Sequence, residues 1–440
     1  MRGFYWIAIV VIIASIARLL VPLNAMDTAW DFGHAYTLLR GDSGIAYNDY
    51  LHDKPDYLYG LVIAPIAALS SSIYVPKLFY SILLALLAVV LFIRKERYNL
   101  SIGLILLIIS NYIILTNRPE IFTILIGCLA YPYLFIENRI NWKVSIPLGF
   151  ILFLIHPPNA FLMGAAVLAS KNLLIKKSNI YLVIYSCTIV LITYILLSTP
   201  QIHHFSILKN RILEGNPLMD FRQFLMYSGI TLIALAIAKR KIWAPVFIIN
   251  YSVLFLLCIL LGPYYYYIFL LVPFVLTTSI SKGKITQAAV TLAVIFNVYT
   301  NIIHHTIVHL ENPSYAEKAL EINAKIVDLA RSEPTHTVFI DQHIGLPLYA
   351  KSRSAKMIMN VANQDYFIVT PPKNGDIAFF TKNSDAHFFA AEINEYNKDY
   401  ETRIIKVTEP VKGKLTLQSL YRNRTDSLGL YKMTISENAR

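Results

Sequence analysis

The residues best equipped for chemistry crowd into a short stretch after the first apolar run. Met26-Asp27-Thr28-Ala29-Trp30-Asp31-Phe32-Gly33-His34-Ala35 leads on to Arg40, Asp42, Asp49, Asp53, Lys54 and Asp56. Carboxylates at that density repel one another, and beside a membrane face they ask for a functional explanation. Asp27 and Asp31 are spaced so that helical backbone puts both carboxylates on one face, with Cβ atoms about 5–6 Å apart. Other polar groups fall at chain positions that share the same side of a membrane: Arg118-Pro119-Glu120, His156-Pro157-Pro158, His203-His204 and Arg211. In such a set an aspartate takes the proton of an acceptor hydroxyl, and Lys or Arg holds the charge of a departing phosphate. A phosphate leaves without being protonated, so no second carboxylic acid is needed, in contrast to glycoside hydrolysis. The chemistry this inventory suits is transfer of a sugar from a phospholipid carrier, with inversion at the anomeric carbon.

Composition says what must position these groups. The chain has 440 residues, 56% hydrophobic and only 15% charged, whereas soluble domains carry about a quarter charged residues. It reads as an α-helical polytopic membrane protein. Arg2, Arg94, Lys95, Arg97, Arg139, Lys143, Lys171, Lys176, Lys177, Lys239, Arg240, Lys241, Lys282 and Lys284 fall in candidate inner loops, and their excess over Glu96 and Glu137 equals the formal net charge of +12. That placement follows the positive-inside rule, so the charge is a topology signal and nucleic acid is not a partner. Anchored on those clusters, the sequence predicts about eleven transmembrane helices, near 4–23, 75–93, 100–116, 121–136, 144–157, 160–175, 179–198, 224–238, 243–261, 265–280 and 285–303. The N-terminus is then cytoplasmic, the C-terminus periplasmic, and the expected location a bacterial inner membrane. Phe4 to Leu23 is read as an uncleaved helix because many further spans follow.

The run 57–70 is short for a span and is read as a helix lying in the outer interface. The alternative, a true span, would put Arg94 to Arg97 outside. The chain thus divides into a membrane module, 1–303, whose first outer loop is 24–74, and a soluble outer-face domain, 304–440. In the latter, 315–332 has the period of an amphipathic helix, and 337–341, 365–369 and 376–380 look like short strands, giving a small α/β domain.

This layout resembles the GT-C superfamily of polyprenyl-phosphate-sugar-dependent glycosyltransferases, whose first outer loop carries an Asp followed eight residues later by a small residue. Asp27 and Ala35 have that spacing, followed by Leu38-Leu39-Arg40-Gly41-Asp42 and Ala46-Tyr47. Lys54-Pro55-Asp56-Tyr57-Leu58-Tyr59 looks like the Lys-Pro-Pro-Leu-Tyr-Tyr type element that opens the interfacial helix in many members. The resemblance implies a GT-C-like fold, Asp27 as catalytic base and Lys54 as a contact to the carrier phosphate. Thr28 stands where the Asp-Glu form has an acid and Asp56 replaces the second proline, which leaves Asp31 open as the base. Phage-type O-antigen (serotype-converting) glucosyltransferases are similar in length and layout. The implied partners are a polyprenyl-phosphate-linked sugar donor, a glycan or lipid-linked acceptor such as lipopolysaccharide, and the bilayer. No cofactor is required; the carboxylates have room for a divalent cation, but a metal-free mechanism suffices.

The substrate-binding candidates are therefore Lys54, Arg40, Arg118, Glu120, His156, Arg211 and Tyr264. Each has a plainer reading: snorkelling for Lys54, an ion pair for Arg118 with Glu120, a turn residue for His156. Tyr264 heads a tyrosine run at an interface, where aromatic belts are expected and one ring is placed to stack on sugar. Cys128, Cys187 and Cys258 sit in apolar runs and imply no disulfide framework. His203-His204 and His304-His305 lack further ligands at metal spacing. Two other classes compete: an O-antigen polymerase or ligase, which would carry its key residues in a large central outer loop, and a lipid-linked sugar flippase, which would show charges within spans.

Overall fold

The computed structural model describes residues 6, 9, 35, 36, 39, 57–69, 98–110, 119–136, 139–171, 216–238, 245–261, 264–277, 283–304, 307, 310–311, 313–332, 336–341, 346–358, 371–413 and 426–438. It forms two compact units: Met1–Arg18, Asp53–Tyr59 and Tyr80–His304 in one, Leu19–His52, Gly60–Phe79 and His305–Arg440 in the other. Helix α1 (Tyr57–Leu69) carries Pro65 inside it and buries Ile63, Ala64 and Ala67.

The first unit is helical. Its elements are α2 (Tyr98–Ile109), α3 (Pro119–Ala130), a 3-10 turn (Tyr131–Tyr133), a two-residue-strand hairpin β1 (Phe135–Ile136) and β2 (Arg139–Ile140), α4 (Trp142–Ile155), α5 (Pro157–Lys171), α6 (Pro217–Ala238), α7 (Pro245–Leu261), a 3-10 segment (Tyr264–Leu271), α8 (Val272–Thr277), and α9 (Lys284–Val298) running into a π turn (Tyr299–Ile303). Proline starts α3, α5, α6 and α7, where its missing N–H deprives the helix of nothing and its fixed φ suits the first turn. Asn216 caps α6, its Oδ1 accepting the Met219 N–H at 3.1 Å. The same prolines stop what precedes them. His156, squeezed by Pro157, is extended at φ −166° and ψ 112°, which ends α4 and begins α5 one residue later.

That punctuation overturns the expected eleven-span architecture. Among the described residues one helix, α6 with 22 residues, is long and apolar enough to cross a membrane. The other apolar helices stop sooner: Pro245–Leu261, at 17 residues, is about 26 Å long against a hydrocarbon thickness of about 30 Å. The run expected as one span at 265–280 is a 3-10 segment followed by the six residues of α8. The run expected at 121–136 breaks after Ala130 into a turn and a hairpin. The chain is mostly helical with a small sheet. The expected spans 75–93 and 179–198, and 4–23 apart from Trp6 and Ile9, lie outside the described residues.

This unit buries apolar side chains and also exposes them. Ile233 and Ile237 on α6, Ile249 and Leu256 on α7, and Ile285, Leu292 and Ile295 on α9 are exposed. Buried between helices is a hydrogen-bonded seam: Ser228 Oγ donates to the Ser110 carbonyl at 3.3 Å, Asn297 Nδ2 donates to Thr231 Oγ1, and Asn301 Nδ2 from the π turn donates to the Ile109 carbonyl at 3.0 Å. Side-chain bonds of this kind join helices whose surroundings are apolar. Gly103 on α2 lets α8 approach, since a Cβ there would lie 3.0 Å from Val275 Cγ1.

The second unit is an α/β layer structure. After α10 (Pro313–Arg331) come β3 (Val338–Asp341), α11 (Leu346–Lys351), β4 (Ala355–Ile358), β5 (Ile377–Phe380), α12 (Asn383–Tyr396), β6 (Tyr400–Gly413) and β7 (Asp426–Glu437). The sheet order is β4-β3-β5-β7-β6, with β3 parallel to β4 and β5, and β7 antiparallel to β5 and β6. Every residue of β3 and β5 is buried, as strands covered on both faces require. Right-handed crossovers leading from β3 to β4 and from β5 to β6 travel in opposite directions and so place α11 and α12 on opposite faces. Helix α10 presents Ile322, Ile326 and Ala330 to the core, and α12 presents Ala386, Phe389, Ala390 and Ile393.

Two buried aspartates lace the central strands at opposite ends. Asp376 accepts the Thr337 N–H at 3.0 Å and the Lys373 N–H at 2.8 Å where β3 and β5 begin. Its burial raises its pKa above the usual carboxylate value, against the lowering effect of those two N–H groups. Asp341, ending β3, accepts the Thr381 N–H and hydroxyl at 3.1 and 2.6 Å just past β5. Gly375 turns into β5 at φ +90°, beneath the His336 ring that any side chain would strike.

Candidate functional site between two parallel helices

Asp27, Asp31, Arg40, Lys54, Arg118 and Arg211 lie outside the described residues. Of the first-loop pattern, Ala35 is described: it is helical and buried beside Tyr36, whose phenol is pushed up to about 12 by burial. Tyr264 begins the 3-10 segment Tyr264–Leu271, in which Tyr266 and Tyr267 are buried. Glu120 and His156 are the two candidates whose side chains the structure describes, and it buries both.

Glu120 sits in the first turn of α3, where a carboxylate is favoured by the helix dipole, and is fully buried. His156 occupies the corner between α4 and α5, 8% exposed, with its ring centroid 6.2 Å from that of Tyr266. The Tyr266 carbonyl in turn accepts from Cys258 Sγ at 3.5 Å, tying the tyrosine segment to α7.

The packing of α3 on α5 relates these residues. Gly127 meets Met163, so closely that a Cβ on Gly127 would stand 2.7 Å from Met163 Cγ and 2.9 Å from its Sδ. Further along both helices in the same direction, Ser170 Oγ donates to Tyr131 Oη at 2.9 Å. Two contacts advancing together toward both C-termini mean that α3 and α5 run parallel. The offset between contacting residues 127 and 163 is 36. Thr123 and Glu120 lie one and two turns back from Gly127, and Asn159 and His156 lie at the corresponding distances in sequence before Met163. The stripe on each helix is an i, i+3, i+7 set, which lies on one face.

Thr123 and Asn159 were not among the sequence candidates. Both are fully buried, yet Thr123 Oγ1, Asn159 Oδ1 and Asn159 Nδ2 have no hydrogen-bond partner among the described residues. A buried polar group without a partner costs about 1–3 kcal/mol, so these atoms weigh on the stability of the helices that carry them. The helix termini add nothing anionic in taste. Pro157 and Pro158 have no N–H, and the next donors, Asn159 N and Ala160 N, both bond the His156 carbonyl at 3.1 and 3.2 Å. Among the described residues no group of His, Cys, Asp and Glu is arranged to hold a metal ion.

No family model, curated protein or solved structure matches this chain.

Proposed function

We propose that the protein is an inverting glycosyltransferase that moves one hexose from a polyprenyl-phosphate carrier to a surface glycan or lipid-linked acceptor at a membrane. The observation that carries this reading is the burial of two ionisable candidates, Glu120 at the start of α3 and His156 at the corner between α4 and α5, in the helical unit. The exposed isoleucines and leucines of α6, α7 and α9 support a lipid environment, since a patch of that kind is disfavoured in water. In the proposed orientation the enzyme lies in a bacterial inner membrane with residues 305–440 on the outer face.

In the reaction, the acceptor oxygen attacks the anomeric carbon as the bond from that carbon to the phosphate oxygen breaks. Asp27 or Asp31 takes the acceptor proton, and the carrier phosphate departs with the bonding pair, its charge held by Lys54 and nearby arginines. Asp27→Asn leaves the protein in the membrane and lowers turnover by about 100-fold or more, the usual worth of a general base. The test incubates purified protein with radiolabelled polyprenyl-phosphate hexoses and candidate acceptor glycans. Label moving from carrier to acceptor, and not to water, supports the transferase. Label that stays on the carrier with every acceptor, or full turnover in both Asp27→Asn and Asp31→Asn, refutes the reading or its base.

A further inference from the structure

We propose that the β1–β2 hairpin and the first turn of α4 form an interfacial anchor, seated in the headgroup layer of a bilayer and matched to anionic phospholipid. The inference rests on the proposed membrane setting and is independent of the sugar chemistry.

The hairpin is closed by the chain on either side of it. Phe135 pairs with Ile140 and Ile136 with Arg139. At its base, Asn141 N donates to the Leu134 carbonyl at 2.8 Å and Asn141 Nδ2 to the Tyr133 carbonyl at 3.0 Å. Leu134 is buried, and the Phe135 ring stands edge-on to Tyr131 at 5.7 Å between centroids. Tyr133 and Ile136 are left outside, each 59% exposed, on backbone whose hydrogen bonds are already made. A tyrosine and an isoleucine shown together beside basic residues is the composition of a membrane interface, not of a turn in water.

Helix α4 gives the level. Its exposed face begins with Lys143 in the first turn and continues with Ile146, Pro147 and Phe150, spaced to share one side. Polarity thus changes within one helical turn, about 5.4 Å, as it does between headgroups and acyl chains. Trp142 stands half-buried at that boundary, where an indole is favoured. The bond from Ser170 to Tyr131 brings the end of α5, which closes on Lys171, to the same end of the unit. The sequence there carries Arg139, Lys143 and Lys171 against Glu137, a sign that fits anionic headgroups. Lysine is depleted in protein interfaces, which makes a protein the poorer occupant.

The test reconstitutes the full chain in vesicles with Trp142 as its one tryptophan, Trp6, Trp30 and Trp243 being replaced by phenylalanine. Phosphatidylcholine brominated near the glycerol end of its chains is expected to quench Trp142 more than the same lipid brominated near the chain ends, and aqueous iodide only weakly. In competition with phosphatidylcholine, brominated phosphatidylglycerol is expected to be preferred at Trp142. Lys143→Gln and Arg139→Gln should each lower that preference by up to about 5-fold, and inorganic phosphate at equal ionic strength should not displace the lipid. Ile136→Ser should open Trp142 to iodide, whereas Ile136→Leu should not. In the wild type, amide exchange over 133–143 should slow when phosphatidylglycerol replaces phosphatidylcholine in nanodiscs, a readout that survives misfolding of the tryptophan variant. Strong quenching by iodide with none by brominated lipid would put the hairpin in water and overturn the anchor. Protection from both quenchers would show that protein covers it, and would overturn it equally. Equal affinity for the two lipids would overturn the match to anionic phospholipid. Label transfer with Trp142 open to iodide keeps the transferase and loses the anchor; Trp142 among the headgroups with label left on the carrier does the reverse.

Discussion

The unit built mainly on 80–304 and the unit built mainly on 305–440 both bury apolar side chains with some polar ones among them, and differ most in what they expose. In the second, Phe339, Phe379, Phe380 and Phe389 fill the interior, while the edge strand β6 exposes Glu401, Arg403, Lys406 and Glu409. In the first, Ser110, Ser228, Thr231, Asn297 and Asn301 lie inside, and Ile249, at 59% exposure, and Leu256, at 56%, lie outside. Water rewards the first arrangement through apolar burial. Exposed apolar side chains of the second kind gain nothing from water, and the interior hydrogen bonds and close backbone approaches join its helices. The contrast teaches that the helical unit exposes apolar side chains and uses buried polar ones to join its helices, whereas the second unit exposes charged ones.

Breaking the water-matched side gives the largest effect. Phe389→Ala removes a ring that packs against Phe339 and Phe380 at centroid distances of 5.7 and 5.3 Å. It is expected to destabilise that unit by about 3–5 kcal/mol, read as faster hydrogen exchange in β3 and β5 of the whole protein. On the other side, Ile249→Arg places a charge on the apolar exterior. In the proposed membrane setting an arginine facing lipid costs up to about 2.5–3.5 kcal/mol, so recovery of folded protein from the membrane fraction should fall. Ile405→Arg, on the exposed edge of the second unit, should leave recovery unchanged. If Ile249→Arg instead made the protein soluble without detergent, the contrast between the units would collapse.

Smaller changes sharpen the comparison. A double-mutant cycle of Thr231→Val and Asn297→Leu should give a coupling of about 0.6–1.7 kcal/mol, the range for bonds between helices in apolar surroundings. The smallest effect is a pH dependence confined to the second unit. Because burial raises the folded pKa of Asp376, its protonated form favours the fold. That contribution is complete below the unfolded value of about 4 and is lost as pH rises through the folded value. Exchange protection of β5 should therefore decline over that window, and Asp376→Asn should flatten the decline.

Sequence periodicity revealed those elements whose pattern is purely local. Ile322, Ile326 and Ala330 announce α10, and the apolar runs announce β3 and β5. Helix α12 carries a comparable pattern in Ala386, Phe389, Ala390 and Ile393, whereas β4 and the long strands β6 and β7 carry a weaker one. Charges alternating along Tyr400–Gly413 look like a solvated loop, and the register shifts near Thr408 and Val411 break the period. Apolar content overstated the number of spans because it does not say where a helix stops; Pro157 and the tyrosine segment do. In the site, Glu120 and His156 stood out as ionisable residues beside prolines. Thr123 and Asn159 did not, because a neutral polar side chain draws notice only once its burial is known.

The sheet order carries a consequence for biosynthesis. β7 is made after β6, yet it lies between β6 and β5 and joins them. Until Asp426–Glu437 leaves the ribosome, β5 has an open edge and β6 has nothing to pair with. At about 5–20 residues per second, that exposure lasts seconds on every translated chain. A premature stop anywhere in that stretch would take out an inner strand rather than trim a border, leaving a nascent product suited to chaperones and proteases.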